Sequence, residues 1–399
     1  MTTQQAPQQV GAVVPDGARE HAAVRLQVGA LVAVSLFSGF ALNVFNGSLP
    51  IYLHGVQGYS LEAVGVLVGL ASVPQLLSPL FAGPLINGRG PRVAIRAGTA
   101  VSLLAGGIFM VTGSAAGLAV ARLLQGVAYA LVLPATYALL PRLIPRRRLG
   151  TATGAFGTVP SLALAIGPPV GISLLQLGPD ALFAGALVGA ALALAATFAL
   201  PGAAPAEGRQ RLLALDRRWL PLLAVTFLTV VYWGIITAYL PLHVPAASRS
   251  SVGWFFTADA VGVLAMRIPA GYLTDRHGPR WLLVGGILLT AVAVLVLMLP
   301  ATTLILVLAG IGTGAGAAFL LPPIIIELSA LSDNSNRGSA MALYTCMFAA
   351  AVAVGSLAGA PIVVALGFNA ALLMSVAACL AALPIAVLST EHRRGRAAG

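Results

Sequence analysis

The chain reads as long apolar runs separated by short polar ones. Charged residues are absent from residues 26–61, 63–88, 97–121, 123–141, 149–179, 181–206, 219–248, 281–326 and 338–390. A helix of about 20 mainly apolar residues crosses the roughly 30 Å hydrocarbon core of a bilayer. Each run can therefore hold one span, and the last two can hold two each. One more segment, 251–273, is interrupted only by Asp259 and Arg267. The pattern predicts twelve transmembrane helices, at 26–53, 61–86, 93–113, 116–141, 150–176, 180–200, 218–243, 251–273, 281–299, 302–331, 338–365 and 368–390. The expected fold class is an all-α integral membrane protein of two six-helix bundles, 26–200 and 218–390. A cytoplasmic linker rich in Gly, Pro, Ala and Arg joins them over 201–217, with a disordered tail over 1–25 and a short one over 391–399.

Shifting the sequence by 188 positions aligns separate landmarks without a gap. Gly83, Leu85, Gly90, Pro91 and Arg92 fall on Gly271, Leu273, Gly278, Pro279 and Arg280; Gly126, Leu133 and Pro134 fall on Gly314, Leu321 and Pro322; Gly167 and Gly171 fall on Gly355 and Gly359. One offset held over so many positions marks the halves as copies. Two six-helix copies related by an axis along the membrane normal are a recurrent transporter architecture, with the solute held between them near the midplane.

Composition agrees with the pattern. Only 8% of the 399 residues are charged, against about a quarter in soluble domains, which excludes a water-soluble globule. The net charge of +11 would suit nucleic acid. Its placement argues otherwise, because 19 of the 22 arginines lie in alternate loops or tails, and there is no lysine. The positive-inside rule puts those segments on the cytoplasmic side, with both termini inside and the chain in the cytoplasmic membrane. Cys346 and Cys379 sit within apolar spans and read as small hydrophobes. His21, His54, His243, His277 and His392 are scattered. No metal, cofactor or nucleic-acid partner is expected, nor an enzymatic centre, and no P-loop points to ATP.

The loops after the second and eighth spans carry the first recognisable motif. They read Gly83-Pro-Leu-Ile-Asn87-Gly-Arg89-Gly90-Pro91-Arg92 and Gly271-Tyr-Leu-Thr-Asp275-Arg276-His-Gly278-Pro279-Arg280. Both are short turns with arginines at the headgroup surface, and both resemble the signature loop of the major facilitator superfamily, Gly-x-Leu-x-Asp-Arg-x-Gly-Arg-Arg. The resemblance implies that Asn87, Arg89, Arg92, Asp275, Arg276 and Arg280 take part in conformational gating. Asn87 stands where that family has Asp, which weakens an ionic latch in the first copy. The fourth span contains Arg122-Leu-Leu-Gln125-Gly126-Val-Ala-Tyr129, similar to the family's Arg-x-x-Gln-Gly motif. In the fifth span, Gly154, Ala163, Gly167, Pro168 and Gly171 resemble the motif of the drug/proton antiporter (efflux) branch, with Ala163 and Ile172 departing from it. Small residues there let helices approach closely, as a sliding surface requires.

Charge breaks the repeat. Asp259 falls opposite Ala71, Arg267 opposite Pro79, Glu327 opposite Leu139 and Arg122 opposite Gly310. Asp259 lies about 12 Å along its helix from Ser251, where a carboxylate needs either a partner or a proton, so it is the leading candidate for proton coupling, with Arg122 and Glu327 as further candidates. Arg122, Gln125 and Tyr129 share one helical face, as do Asn43 and Asn46 on the first span. The resemblance places the first, fourth, seventh and tenth spans around a central cavity. Asn43, Asn46, Gln125, Tyr129, Tyr232 and Trp233 are therefore the substrate-cavity candidates, with Phe40 and Phe319 as apolar wall. The expected function is export of small organic compounds by a monomeric, alternating-access transporter with the proton as coupling ion. Proton-coupled uptake of a sugar or other nutrient, and lipid handling, are the alternatives.

Overall fold

The computed structural model describes residues 16–145, 149–202, 216–332 and 336–397. The arginines at 146–148, the tail over 1–15, most of the linker (203–215) and residues 398–399 lie outside the described residues. Among the described residues eleven helices are long and apolar enough to cross a membrane, and a bent pair, taken as one span, makes twelve. Numbered in chain order, spans 1–6 are Val24–Val56, Leu61–Leu76 with Ser78–Arg89, Pro91–Val111, Ala115–Leu143, Ala152–Leu177 and Pro179–Ala199. Spans 7–12 are Arg217–His243, Ser251–Thr274, Pro279–Val296, Thr303–Ala330, Ser339–Leu366 and Phe368–Leu388. An even number of crossings puts both termini at one end of the molecule, here called the terminus end; the other is the far end. The helix carrying span 1 begins at Asp16 and that carrying span 12 runs to Ala397. Both thus extend into segments expected to be tails, where Ala, Arg and Glu favour helix.

The 188-residue offset is reproduced in the packing. A Cβ at Gly126 of span 4 would strike the Ala71 carbonyl of span 2, and one at Gly314 of span 10 would strike the Asp259 carbonyl of span 8. Gly98 of span 3 packs on Ala128 and Val132, and Gly286 of span 9 on Gly316 and Leu320. Gly167 of span 5 lies against Asn43 of span 1, and Gly355 of span 11 against Val231 of span 7. In each pair both partners shift by 188, so the two halves share one pattern of backbone approach, which only glycine permits.

The turns expected from the Gly-Pro pairs are one residue long. Span 2 ends at Arg89, Gly90 takes φ +90°, and Pro91 opens span 3; the helix of span 8 ends at His277, Gly278 takes φ +80°, and Pro279 opens span 9. Glycine supplies the left-handed backbone after a helix and proline suits the first helical position.

The halves differ in continuity. Span 7 is an unbroken helix from Leu220, whereas span 1 loses its helix over 44–47, where Gly47 has φ +85°, and resumes through a π-helical turn, Ile51–Val56. Span 8 is continuous, whereas span 2 is interrupted at Leu70 and Ala71 and bends by 47° near Leu77.

Candidate substrate and coupling site

The seam between the halves pairs span 2 with span 11 and span 5 with span 8. At its far end backbone meets backbone. A Cβ at Gly65 would strike the Tyr239 hydroxyl and the Ser356 carbonyl, one at Gly69 the Ser356 side chain, and one at Gly253 the Pro169 backbone. Gly65 and Gly253 are themselves 188 apart, so the seam obeys the same symmetry. Thr257 donates across the seam to Ala165 O at 2.7 Å, and within the second half Tyr239 donates to Ser356 O at 2.6 Å. One apolar cluster runs from the second half across this end into the first, including Phe45, Val64, Tyr239, Val252 and Phe256.

Toward the terminus end the seam is held differently. The first half keeps a separate apolar cluster there, with Leu31, Ile86, Ile95, Leu139 and Phe156. Side chains reach across to backbone: Arg267 Nη1 donates to Gly157 O at 2.6 Å, and Cys346 Sγ to Leu76 O at 3.0 Å. Gly83, Gly88, Gly154 and Gly271 have open space where a Cβ would stand.

Arg122 and Gln125, expected on one face of span 4, are brought together inside the first half. Arg122 is buried; its Nη1 donates to Gln125 Oε1 at 2.9 Å, its Nε to Leu67 O at 3.2 Å and its Nη2 to Val68 O at 2.8 Å. The latter carbonyls end the helix just before the Leu70–Ala71 interruption, so the guanidinium supplies donors where span 2 stops being helical. Gln125 Nε2 in turn donates to Ala41 O of span 1 at 3.0 Å. Position 310, opposite Arg122, is glycine beside the unbroken span 8, which needs no such donor. Tyr129 lines a cavity of about 10 Å³ with Ser38, Ser102 and Gln125, room for about one water. Gln125 and Tyr129 therefore lie within one bundle.

Asn43 and Asn46 sit at the break in span 1. Asn46 Nδ2 donates to Asn43 Oδ1 at 2.8 Å, and Asn43 Nδ2 to Gly39 O at 2.8 Å. Gly167 and Gly171 of span 5 back this break, since a Cβ on either would strike the Asn43–Val44 backbone. Both asparagines remain half-buried. Pro168, between those glycines, is buried.

Asp259 is buried between spans 8 and 10, where the Thr313 hydroxyl lies 2.7 Å from its Oδ1 and 3.0 Å from Gly310 O. Tyr232 of span 7 is buried. Sequence reasoning missed Thr313; its signal was the neighbouring Gly310 and Gly314, which bring span 10 against span 8. Trp233 packs edge-on to Tyr232, with ring centroids 6.3 Å apart, and on Phe255 and Phe256 of span 8, at 6.5 and 5.8 Å. Phe40 packs against Gly189 of span 6. Phe319 lines a pocket of about 320 Å³ with Leu273, His277, Trp281, Leu282 and Gly285, between spans 8, 9 and 10. Glu327 is buried one turn from the end of span 10.

The gating candidates surround the one-residue turns. Asn87 and Arg89 occupy the last turn of span 2, Arg92 the first of span 3, and Arg280 the first of span 9. Arg276 Nη1 donates to Tyr272 Oη at 3.3 Å. Asp275 lies in the last turn of its helix, and its side chain is outside the described residues.

Two matched copies of a six-helix bundle joined at a symmetric seam define a secondary-transporter fold. The family model for the Major Facilitator Superfamily matches residues 31–247 and again 222–398, and the chain belongs to that superfamily. An uncharacterised MFS-type transporter of Sinorhizobium fredii is 30% identical over 257 residues, 57% of this chain and 62% of the relative. One from Pseudomonas aeruginosa is 32% identical over 126 residues, 29% of this chain and 31% of the relative. The matched stretches thus span less than two thirds of those relatives. Among solved structures, the nucleoside transporter NupG superposes with a TM-score of 0.77 at 12% identity, covering 91% of this chain and 99% of that one. The xylose transporter XylE from E. coli, in an inward open conformation, gives 0.72 at 15% identity, covering 90% and 95%. At such identities the likeness is one of fold.

Proposed function

We propose that the protein exports small, partly apolar organic compounds across the cytoplasmic membrane by alternating access, in exchange for protons. The observation that carries this reading is the unequal seam: backbone-close at the far end, bridged by side chains at the terminus end, along helix pairs related by one symmetry. Two copies that meet this way can rock about a solute between them. The arginine bias supports a cytoplasmic terminus end, so this state faces inward. Export is supported by Gly154, Gly167, Pro168 and Gly171, which resemble the efflux motif and of which Gly167 and Gly171 back the broken, amide-bearing part of span 1.

Asp259 is the proposed proton carrier. The Thr313 hydroxyl has one proton and two acceptors in reach, Asp259 Oδ1 and Gly310 O. A carboxylate holds it; a protonated acid releases it to the helix carbonyl. Loading a proton therefore changes the link between spans 8 and 10 and shifts the population between states. The test is accumulation of compounds in membrane vesicles under imposed pH gradients of either sign. Expulsion against inward protons is expected, and uptake with inward protons would overturn export. Asp259→Asn is expected to abolish gradient-driven transport while retaining solute exchange; undiminished concentrative transport would remove the residue from the mechanism.

A further inference from the structure

Three charges lie well inside the spans: Arg122, Asp259 and Arg267. The first two bond within their own halves. Arg267 bonds across the seam, about 15 Å of helix from the end at His277. Its guanidinium lies against Gly157, where a Cβ would strike Nη2. Phe156, next to Gly157 in the chain, packs edge-on to Tyr137 of span 4 with centroids 5.3 Å apart. No described carboxylate lies within ion-pair distance of Arg267. Guanidinium has five N–H donors, of which one bonds Gly157 O, and none of its nitrogens is both buried and unpartnered. The remaining donors therefore face accessible space, beside the open position at Gly154. Position 79, opposite Arg267 in the repeat, is proline, so the charge has no twin.

An uncompensated guanidinium at membrane depth is costly, and an entering anion would offset it. We propose that Arg267 recognises an acidic group of the transported solute, so that the substrates are small organic acids. A planar fork of donors suits a carboxylate bidentately. Among the described residues, the mid-span carboxylate Asp259 bonds within its own half, not across the seam. This assignment rests on the transport reading and names its substrate class.

The buried thiols of Cys346 and Cys379 provide the assay, because a maleimide dye reacts with them as the bundles open on heating. Millimolar benzoate is expected to raise the unfolding midpoint by several degrees, as a native-state ligand does, whereas benzamide and benzylamine leave it in place. Arg267→Gln should erase the benzoate shift and Arg267→Lys should retain part of it. Equal shifts from benzoate and benzamide, no benzoate shift in the unmodified protein, or a full shift in Arg267→Gln would each overturn the assignment. Vesicles that concentrate neutral compounds but no acids would sink the anion site and leave transport standing. An Arg267-dependent benzoate shift in a protein that moves no solute would support the site and sink transport.

Discussion

The two ends of the seam are built from similar residues and held in different ways. At the far end Gly65 and Gly253 bring backbones into contact, Thr257 adds one side-chain bridge to Ala165 O, and the apolar cluster is continuous across both halves. Toward the terminus end Arg267 and Cys346 each reach one carbonyl across the gap, and the first half keeps its own core. Close backbone packing cannot be released by a rotamer change, whereas a side-chain bridge can. The glycines themselves carry no label: Gly65 and Gly154 are the same residue in the same kind of helix, and only the neighbour decides whether a methyl group fits.

The largest effect is expected at Gly65. Gly65→Leu would drive a side chain into the Tyr239 hydroxyl and the Ser356 carbonyl, costing about 3 kcal/mol of packing and lowering transport more than tenfold. Labelling by an impermeant maleimide of a cysteine introduced at the far end, in a Cys346→Ser, Cys379→Ser background, should rise. If this variant behaves like the unmodified protein, the contrast between the ends collapses. Arg122→Met comes next, because it strips donors from the Leu67 and Val68 carbonyls at the interruption in span 2. A loss of about 2 kcal/mol is expected, read as a lower midpoint in thermal unfolding, with Arg122→Lys intermediate. A smaller effect is expected from Gly157→Ala, which displaces a flexible guanidinium and not a backbone. Its cost should stay below about 1 kcal/mol, while alkylation of Cys346, followed in a Cys379→Ser background, speeds up as the neighbouring bridge loosens. Unchanged alkylation would show that the two bridges act independently. Gly154→Ala should be the mildest. It meets open space and favours helix, so stability should change by no more than about 0.5–1 kcal/mol, in the stabilising direction; a loss comparable to Gly65→Leu would mean the terminus end is as tightly built as the far end.

Much of the fold was legible because hydrocarbon imposes length and polarity on every span. The predicted bounds of span 8, 251–273, and span 10, 302–331, match Ser251–Thr274 and Thr303–Ala330 closely. The offset of 188 proved to be a packing rule as well as a sequence match. The breaks in spans 1 and 2 were not legible, since Asn46-Gly47 and Leu70-Ala71 interrupt no hydrophobic run and hydropathy does not register backbone hydrogen bonds. The candidate site was read less completely. Shared faces were right for Arg122 with Gln125 and for Asn43 with Asn46, because helical spacing fixes them. Which neighbour each face meets depends on tertiary approach, so Gln125 and Tyr129 fell within one bundle and Thr313 went unnoticed beside Asp259.

The single-residue turns at Gly90 and Gly278 leave no slack at two corners of the molecule. Spans 2 and 3, like spans 8 and 9, are thereby coupled as stiff cranks. Any force that prises span 2 from span 11 is delivered undamped to the next helix, so each bundle swings as a block instead of yielding helix by helix.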